Sequence, residues 1–301
     1  MGEDAVVRVE GRTLRLTNLG KVLYPEVGFT KAEVIDYYSR IAPVLLPHVR
    51  DRPATLRRFP DGVGGSSFFE KNVPSHAPEW VRRVRVGTSG SRGGAGYVDF
   101  VVVEDLATLV WLANLAALEL HVPQWTVGAR GGRHSPDLVV FDLDPGEPAS
   151  VVECARVALV LREVLVADGL EPVVKTSGSK GLQVYAPVRV AAAERTSEYA
   201  RGVARRLAAE LPELVVWRMA KVLRSGRVLI DWSQNSPAKT TVAPYSLRAR
   251  GVPSVSAPVS WAEVEGCRVV GDLVFVADEV RARVAASGDL FRVGVPSPLP
   301  R

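Results

Sequence analysis

Asp142 and Asp144 stand two residues apart at the end of DLVVFDLD (137–144), a short apolar run that reads as a central strand. Side chains at i and i+2 of a strand share a face, roughly 6–7 Å apart for two rises of about 3.3 Å. Two carboxylates so placed repel each other unless a cation lies between them. Oxygen ligands of this kind select hard ions, Mg²⁺ or Mn²⁺. RVLIDW (227–232) is a second strand-like run and carries Asp231 near its end, so a neighbouring strand can bring a third acid to the same place. Three carboxylates can hold two divalent ions about 3.5–4 Å apart, a pair able to activate a hydroxyl nucleophile and stabilise a leaving phosphate. The plainer reading is that strand-end aspartates cap turns and helices.

An apolar strand ending in Asp-x-Asp also resembles the haloacid-dehalogenase-type phosphatases, in which the first Asp is the nucleophile. That family carries Thr or Val two residues past the second Asp and a Gly-Thr turn. Pro145-Gly146-Glu147 follows here, which counts against it.

KTSGSKG (175–181) is small, flexible and basic. Its glycines permit close backbone approach, and consecutive amides with a hydroxyl and a lysine suit a polyphosphate. It lacks the spacing of a P-loop, and a plain hairpin turn reads equally well. Lys239 and Arg248 flank TTVAPYSL downstream of Asp231. A triphosphate needs such paired cations; either residue alone would be ordinary surface charge.

Several elements must position these groups. Thr30 and Glu33 form a capping box, and IDYYSRIAPVLLPHV (35–49) keeps helical apolar spacing behind it. A strand is predicted over 54–60, then a glycine-rich turn, DGVGGSS (61–67), leads into Phe68 and Phe69. DLATLVWLANLAALEL (105–120) reads as one helix, apolar nearly all round and therefore buried. Ser150 and Glu153 form a second capping box opening a helix to about Ala167. Strands are predicted near 171–175 and 182–188, a helix over 197–211, and loop from 288 onward. Interspersed strands and helices favour a layered α/β or α+β fold. A weak boundary falls at 125–136, a loop rich in Gly and Arg.

Composition narrows the classes. The chain has 301 residues, long for one domain but suited to one bilobed unit. No apolar run reaches the ~18 residues of a membrane span. The N-terminus is acidic and lacks the apolar stretch of a leader, so the cytoplasm is the expected location. Two cysteines, Cys154 and Cys267, make neither a disulfide framework nor a four-thiolate zinc site and read as packing residues. Lys plus Arg exceed Asp plus Glu by 38 to 33. That excess fits either a solvated basic surface or an anionic partner such as nucleic acid.

DLVVFDLDPGE, KTSGSKGLQVY and LIDWSQNSPAKTTVAPYSLRAR follow one another between residues 137 and 250. Together they resemble the three-motif core of the polymerase domain of bacterial DNA ligase D, within the archaeo-eukaryotic primase superfamily. LTNLGKVLYPEVGFTKAEVIDYY, GGSSFFEKNVPSHAPEW and LVWLANLAALELHVPQW extend the likeness over about residues 15–287. The resemblance implies a primase-polymerase fold with a central, mainly antiparallel sheet flanked by helices, in one bilobed unit: a DNA-contacting part over about 1–125 and a catalytic core over 126–290. It implies that Asp142, Asp144 and Asp231 are metal ligands and that His121, Ser177, Lys180, Lys239 and Arg248 hold a nucleoside triphosphate, with Gln234 near the nucleotide or its metals. Asn18, Lys21 and Lys31 match the family's pocket for the 5′-phosphate of a recessed DNA end. Phe68 and Phe69 would stack on bases, and two adjacent phenylalanines in a glycine-rich loop cannot easily both be buried. His121 would otherwise read as a core residue ending a buried helix, and the two lysines as surface charge.

The implied activity is metal-dependent addition of nucleotides to a DNA 3′ end, with Mn²⁺ or Mg²⁺ and a preference for ribonucleotides. Its setting is gap filling or non-homologous end joining, with the end-binding protein Ku and a separate DNA ligase as partners and the nucleoid as location. Rival readings are a non-catalytic module that bridges DNA ends and a primase that starts chains unaided. No ligase or nuclease segment is visible before the chain ends, so a stand-alone protein or an excised domain is expected. Gln183 departs from the family, many of whose members carry His there; Gln can donate a hydrogen bond but carries no charge.

Overall fold

The computed structural model describes residues 4–89 and 95–300. Met1, Gly2 and Glu3, part of the stretch read against a leader, and the last residue, Arg301, lie outside the described residues. A hairpin opens the structure. β1 (Ala5–Val9) pairs antiparallel with β2 (Arg12–Leu16), and Glu10 and Gly11 turn the chain with φ of 47° and 80°, the positive pair that a type I′ turn requires. β3 (Val22–Tyr24) and β4 (Phe29–Thr30) then lead into α1 (Lys31–Val49). The Thr30–Glu33 capping box forms as the sequence predicts.

β5 (Pro53–Arg58), β6 (Phe68–Glu70), β7 (Arg83–Ser89) and β8 (Ala95–Val102) follow, then α2 (Leu106–Asn114) and β9 (Ala117–Val122). The helix expected over 105–120 therefore stops at Asn114. Ala116 takes a left-handed φ of 56°, and the rest of the run becomes a strand. The segment is apolar on every side, which suits a buried helix and a central strand alike. Pairing with β5 decides it, with Thr55 opposite His121 and Leu56 opposite Leu120. His121 accordingly sits on a strand and not at a helix end.

The glycine- and arginine-rich stretch read as a boundary loop folds as a hairpin of β10 (Trp125–Val127) and β11 (Arg133–Pro136). Trp125 and Val127 pack with Val84, Phe100 and Val102 of the β7–β8 ribbon. Next come β12 (Leu138–Pro145), α3 (Val151–Ala167), β13 (Val173–Thr176), β14 (Leu182–Arg189), α4 (Glu194–Glu210), β15 (Val215–Val216) and β16 (Val228–Asp231). A 3-10 turn (Trp232–Asn235), β17 (Thr241–Val242), β18 (Pro258–Val259), α5 (Trp261–Gly266) and α6 (Ala277–Ser287) complete most of the chain. The C-terminal stretch expected to be loop adds a short parallel strand, β19 (Ser297–Pro298), beside β14.

The mainly antiparallel, helix-flanked architecture is as the sequence predicts, and among the described residues it is built around two large sheets, with β1-β2, β3-β4 and β10-β11 forming two-stranded ones. One runs β17-β9-β5-β8-β7 with β6 on β5; the other runs β15-β16-β12-β14-β13-β18. β17, from late in the chain, joins the first sheet beside His121 and so ties the two halves together. Strand alternation on β12 places the chemistry. Val139, Phe141 and Leu143 enter the core shared with α3 and α4, whereas Val140 enters the core of the first sheet. Asp142 and Asp144 share the Val140 face and open toward the cleft between the sheets.

Candidate active site

β12 lies between β14 and β16, antiparallel to both, so each acid has a defined cross-strand neighbour. Asp142 faces Asp231 on one side and Gln183 on the other; Lys175 faces Gln183 one strand further on. Asp142, Asp144 and Asp231 each offer an oxygen, and these atoms lie within 4.8 Å of one another. Burial raises the Asp142 carboxyl above its ordinary range, and the Asp144 charge adds to the effect; Asp144 is raised by burial and then by Asp231. Converging, desolvated carboxylates with an all-oxygen donor set fit a hard divalent cation. Asp231 is buried, and it also caps the 3-10 turn that follows. Its Oδ1 accepts from the Ser233 amide at 3.0 Å and its Oδ2 from Gln234 Nε2 at 2.9 Å. Lys239 donates to the Ser233 hydroxyl and stands 3.9 Å from Asp231 Oδ2.

A cleft of about 360 Å³ opens over this cluster. The structure brings to it His121, Asp142, Asp144, Ser177, Lys180, Gln234 and Arg248 from the predicted set, together with Gln183. Ser177 and Lys180 ride the β13–β14 hairpin. The hairpin needs glycine twice: Gly178 has a φ of +66°, and a Cβ there would lie 2.5 Å from Arg248 Cγ, whereas a Cβ at Gly181 would lie 1.9 Å from the Leu143 carbonyl oxygen. The Ser177 hydroxyl accepts from the amides of Ser179 and Gly181 at 3.2 and 3.1 Å, so it shapes the turn while keeping its own proton to donate. Lys180 pairs with Glu147 at 2.7 Å, both exposed.

Two residues that sequence reasoning passed over organise the cleft. Glu119, buried on β9, accepts from the Ala249 amide at 3.1 Å and lies within 3.5 Å of Arg57 and of Arg248; its Oε2 is 2.9 Å from His121 Nε2. Burial alone would raise this carboxyl, but the bond to His121 and the Arg248 charge hold it down to about 2. Burial in turn lowers His121 and Arg248, opposed in each case by Glu119. Arg224 lines the cleft, and its charge opposes the rise of Asp144. Its Nη2 donates to the Met219 carbonyl at 2.7 Å, and its buried Nε has no partner among the described residues. A lone acid inside an apolar run and an arginine in an irregular loop carry no local pattern that marks them.

The remaining candidates lie outside the cleft. Phe68 and Phe69 are 44% and 59% exposed on β6, a short edge strand rather than a loop. Arg58 stacks over Phe68 and Arg57 over Phe69, at 5.3 and 5.5 Å, and the Phe69 ring meets His121 edge-on at 5.7 Å. Asn18, Lys21 and Lys31 come together: the Lys21 amide donates to the Asn18 carbonyl and the Lys31 amide to the Lys21 carbonyl. Lys31, readable from sequence as surface charge, is buried, with its ammonium on the Thr17 carbonyl at 2.6 Å. Lys21 pairs with Asp61 at 2.8 Å. Among the described residues no helix is long and apolar enough to cross a membrane.

The scaffold is a primase-polymerase fold. The polymerase domain of Mycobacterium tuberculosis ligase D, solved in complex with DNA, matches it with a TM-score of 0.85 at 42% identity, covering 92% of this chain and 96% of that one. The family model for the LigD primase-polymerase domain matches residues 30–291, and the chain belongs to that family. The multifunctional non-homologous end joining DNA repair protein LigD of Mycobacterium tuberculosis is 43% identical over 284 residues, covering 92% of this chain and 36% of its own length. The bifunctional non-homologous end joining protein LigD of Bacillus subtilis is 31% identical over 280 residues, with 92% and 43% covered. The chain thus spans well under half the length of these curated relatives.

Proposed function

We propose that the chain adds nucleotides to a DNA 3′ end, reading a template strand, during gap filling and end processing in non-homologous end joining. One observation carries this reading: Asp231 stands across the ladder from Asp142, with Asp144 two residues along, and the three offer oxygens within 4.8 Å. Asp142, Asp144 and Asp231 would hold two divalent ions, Mn²⁺ or Mg²⁺, whose charge would activate the attacking hydroxyl and offset the leaving pyrophosphate. Ser177 and Lys180 on the hairpin, with His121, Lys239 and Arg248, receive the triphosphate. Gln234, fixed on Asp231, borders the nucleotide. Lys180 and Arg248 each exchange a protein carboxylate for a phosphate as the nucleotide arrives, which keeps their charges paired in both states. Phe68 and Phe69 offer exposed faces for stacking on template bases, and Asn18, Lys21 and Lys31 take the 5′-phosphate beyond the gap. The whole acts as one bilobed unit, working at the nucleoid beside Ku and a separate ligase and favouring ribonucleotides.

A gapped, 5′-phosphorylated duplex incubated with Mn²⁺ and labelled ribo- or deoxyribonucleotides tests the reading. Extension that disappears in Asp144→Ala while DNA binding persists supports it. Binding without any extension would leave an end-bridging module instead.

A further inference from the structure

The two oxygens of the buried Glu119 carboxylate have separate partners. Oε1 accepts from the Ala249 amide at 3.1 Å and faces Arg57 at 3.5 Å. Oε2 lies 2.9 Å from His121 Nε2 and 3.5 Å from Arg248. A carboxyl held down to about 2 carries no proton at neutral pH, so the hydrogen of the His121 contact belongs to Nε2. In the neutral ring Nδ1 then ends in a lone pair. Among the described residues Nδ1 has no hydrogen-bond partner, and it is not shut away from solvent. The open space that His121 borders is the cleft. Burial holds the ring below its ordinary value near 6.5; Glu119 opposes this, and Arg248 and Lys175 add to it. The ring is therefore neutral at pH 7 and above before nucleotide arrives. Its other neighbours do not titrate: Thr55 faces it from β5, Val242 from β17 and the Phe69 ring from β6.

A phosphate oxygen and the Nδ1 lone pair are both acceptors, so the neutral ring in this tautomer repels a triphosphate. Moving the hydrogen to Nδ1 would satisfy the phosphate but strip Oε2 of its donor. Arg248 leaves that same oxygen when it turns to the phosphates. The Glu119 side chain is only 2% exposed, and a buried carboxylate that loses its partners is strongly destabilising. A proton drawn from solvent to Nδ1 meets both needs. The imidazolium donates one N–H to phosphate and keeps the other on Oε2, and its charge replaces the one that Arg248 withdraws.

We propose that Glu119 is a positioning residue that holds the Nε2 hydrogen of His121, so that His121 engages the triphosphate only by taking up a proton at Nδ1. This rests on the nucleotidyl-transfer reading above. The test measures the affinity of the full chain for ATP with Mg²⁺, by calorimetry, at about pH 7 and about pH 8. One proton gained on binding weakens affinity by about tenfold per pH unit. The ratio of wild-type affinity to that of His121→Gln therefore falls about tenfold over this range. Protons exchanged by the three acids or by ATP occur in both proteins and cancel in the ratio. The ratio of Glu119→Gln to His121→Gln stays level. A level ratio for the wild type overturns the proposal, as does a Glu119→Gln variant that keeps the wild-type pH dependence. Should Glu119→Gln fail to fold, nitrogen NMR of the wild-type rings decides, since the chain has four histidines and His121→Gln assigns the one that matters. The free protein shows His121 protonated on Nε2 alone, and the ATP complex shows both nitrogens protonated. A neutral ring in the complex, in either tautomer, overturns the proposal. Extension of the gapped DNA by the wild-type protein is scored separately. If it fails, the transfer reading falls and takes this inference with it; if it succeeds while the wild-type ratio stays level, only this inference falls.

Discussion

Gln183 donates its amide to Asp142 Oδ1 at 3.0 Å while its side-chain oxygen takes the ammonium of Lys175, which is fully buried. Among the described residues Lys175 otherwise reaches the Ser256 hydroxyl, at 2.6 Å, and the face of Tyr185. Burial pushes its pKa well down, with Asp142 opposing. A glutamine can serve both neighbours because it offers a donor and an acceptor at once. Gln183→Leu should destabilise the protein by about 1–3 kcal/mol, the usual cost of a buried polar group left unpaired. Adding Lys175→Met should recover much of that loss, because the unpaired cation goes with it. Urea unfolding of the two single variants and the double variant checks this; strictly additive losses would show that the pair is not coupled.

Glu119 gives a pH signature. Its carboxyl is held at about 2 in the folded protein, below an ordinary value near 4.5, by His121 and Arg248 acting against burial. A depressed carboxyl contributes stability that is fully present above the unfolded value and is lost as pH falls through the folded one. Glu119→Gln should therefore cost on the order of 3 kcal/mol at pH 7, from a shift of about 2.5 units. The gap between wild type and variant should narrow steadily below about pH 4.5. Chemical denaturation at several pH values measures it, and a gap independent of pH would contradict the assignment.

The three acids predict opposite responses with and without metal. Burial and mutual repulsion raise Asp142 and Asp144, so the folded state holds protons that the unfolded chain has released. Their contribution falls as pH rises from the ordinary carboxylate range through the raised folded values. Asp142→Asn should raise the melting temperature of the metal-free protein at pH 8, by roughly 2–4 °C per kcal/mol relieved. Mn²⁺ should stabilise the wild type in a concentration-dependent way and leave Asp142→Asn nearly unmoved. Calorimetry with and without chelator decides; equal stabilisation of both proteins by Mn²⁺ would place the ion elsewhere.

How much was legible in the sequence follows from the range of each signal. DLVVFDLD announced a central strand and two acids on one face because alternation is a property of neighbouring residues. The Thr30–Glu33 and Ser150–Glu153 boxes were legible because a cap acts over three positions. The stretch 105–120 misled, since uniform apolarity fits two structures and pairing with β5, far away in sequence, chose between them. Glu119 draws its meaning from Arg57 and Arg248, 62 and 129 positions away by their numbers, and no local window contains them. Lys31 looked like surface charge because nothing near it in sequence shows that Thr17 folds back over its ammonium.

The last prediction concerns that lysine and its neighbours. Lys21 and Asp61 are exposed and paired at 2.8 Å, an interaction worth about 0–1 kcal/mol in water and easily exchanged for phosphate. Lys31 lies under the same surface with its ammonium on the Thr17 carbonyl at 2.6 Å and the Thr17 hydroxyl at 3.5 Å, and Asn18 shapes the turn with a φ of 53°. Each charge-assisted bond to phosphate is worth about 1.5–3 kcal/mol, roughly 10- to 100-fold in affinity. A gapped DNA carrying a 5′-phosphate should therefore bind at least about tenfold more tightly than the same DNA ending in a hydroxyl. Lys21→Ala should erase most of that difference without altering stability. Asp61→Ala should enlarge it, because the carboxylate that competes with phosphate for Lys21 is gone. Fluorescence anisotropy with the two DNAs measures both. If phosphate and hydroxyl ends bind alike in the wild type, Asn18, Lys21 and Lys31 do not form an end-recognition pocket.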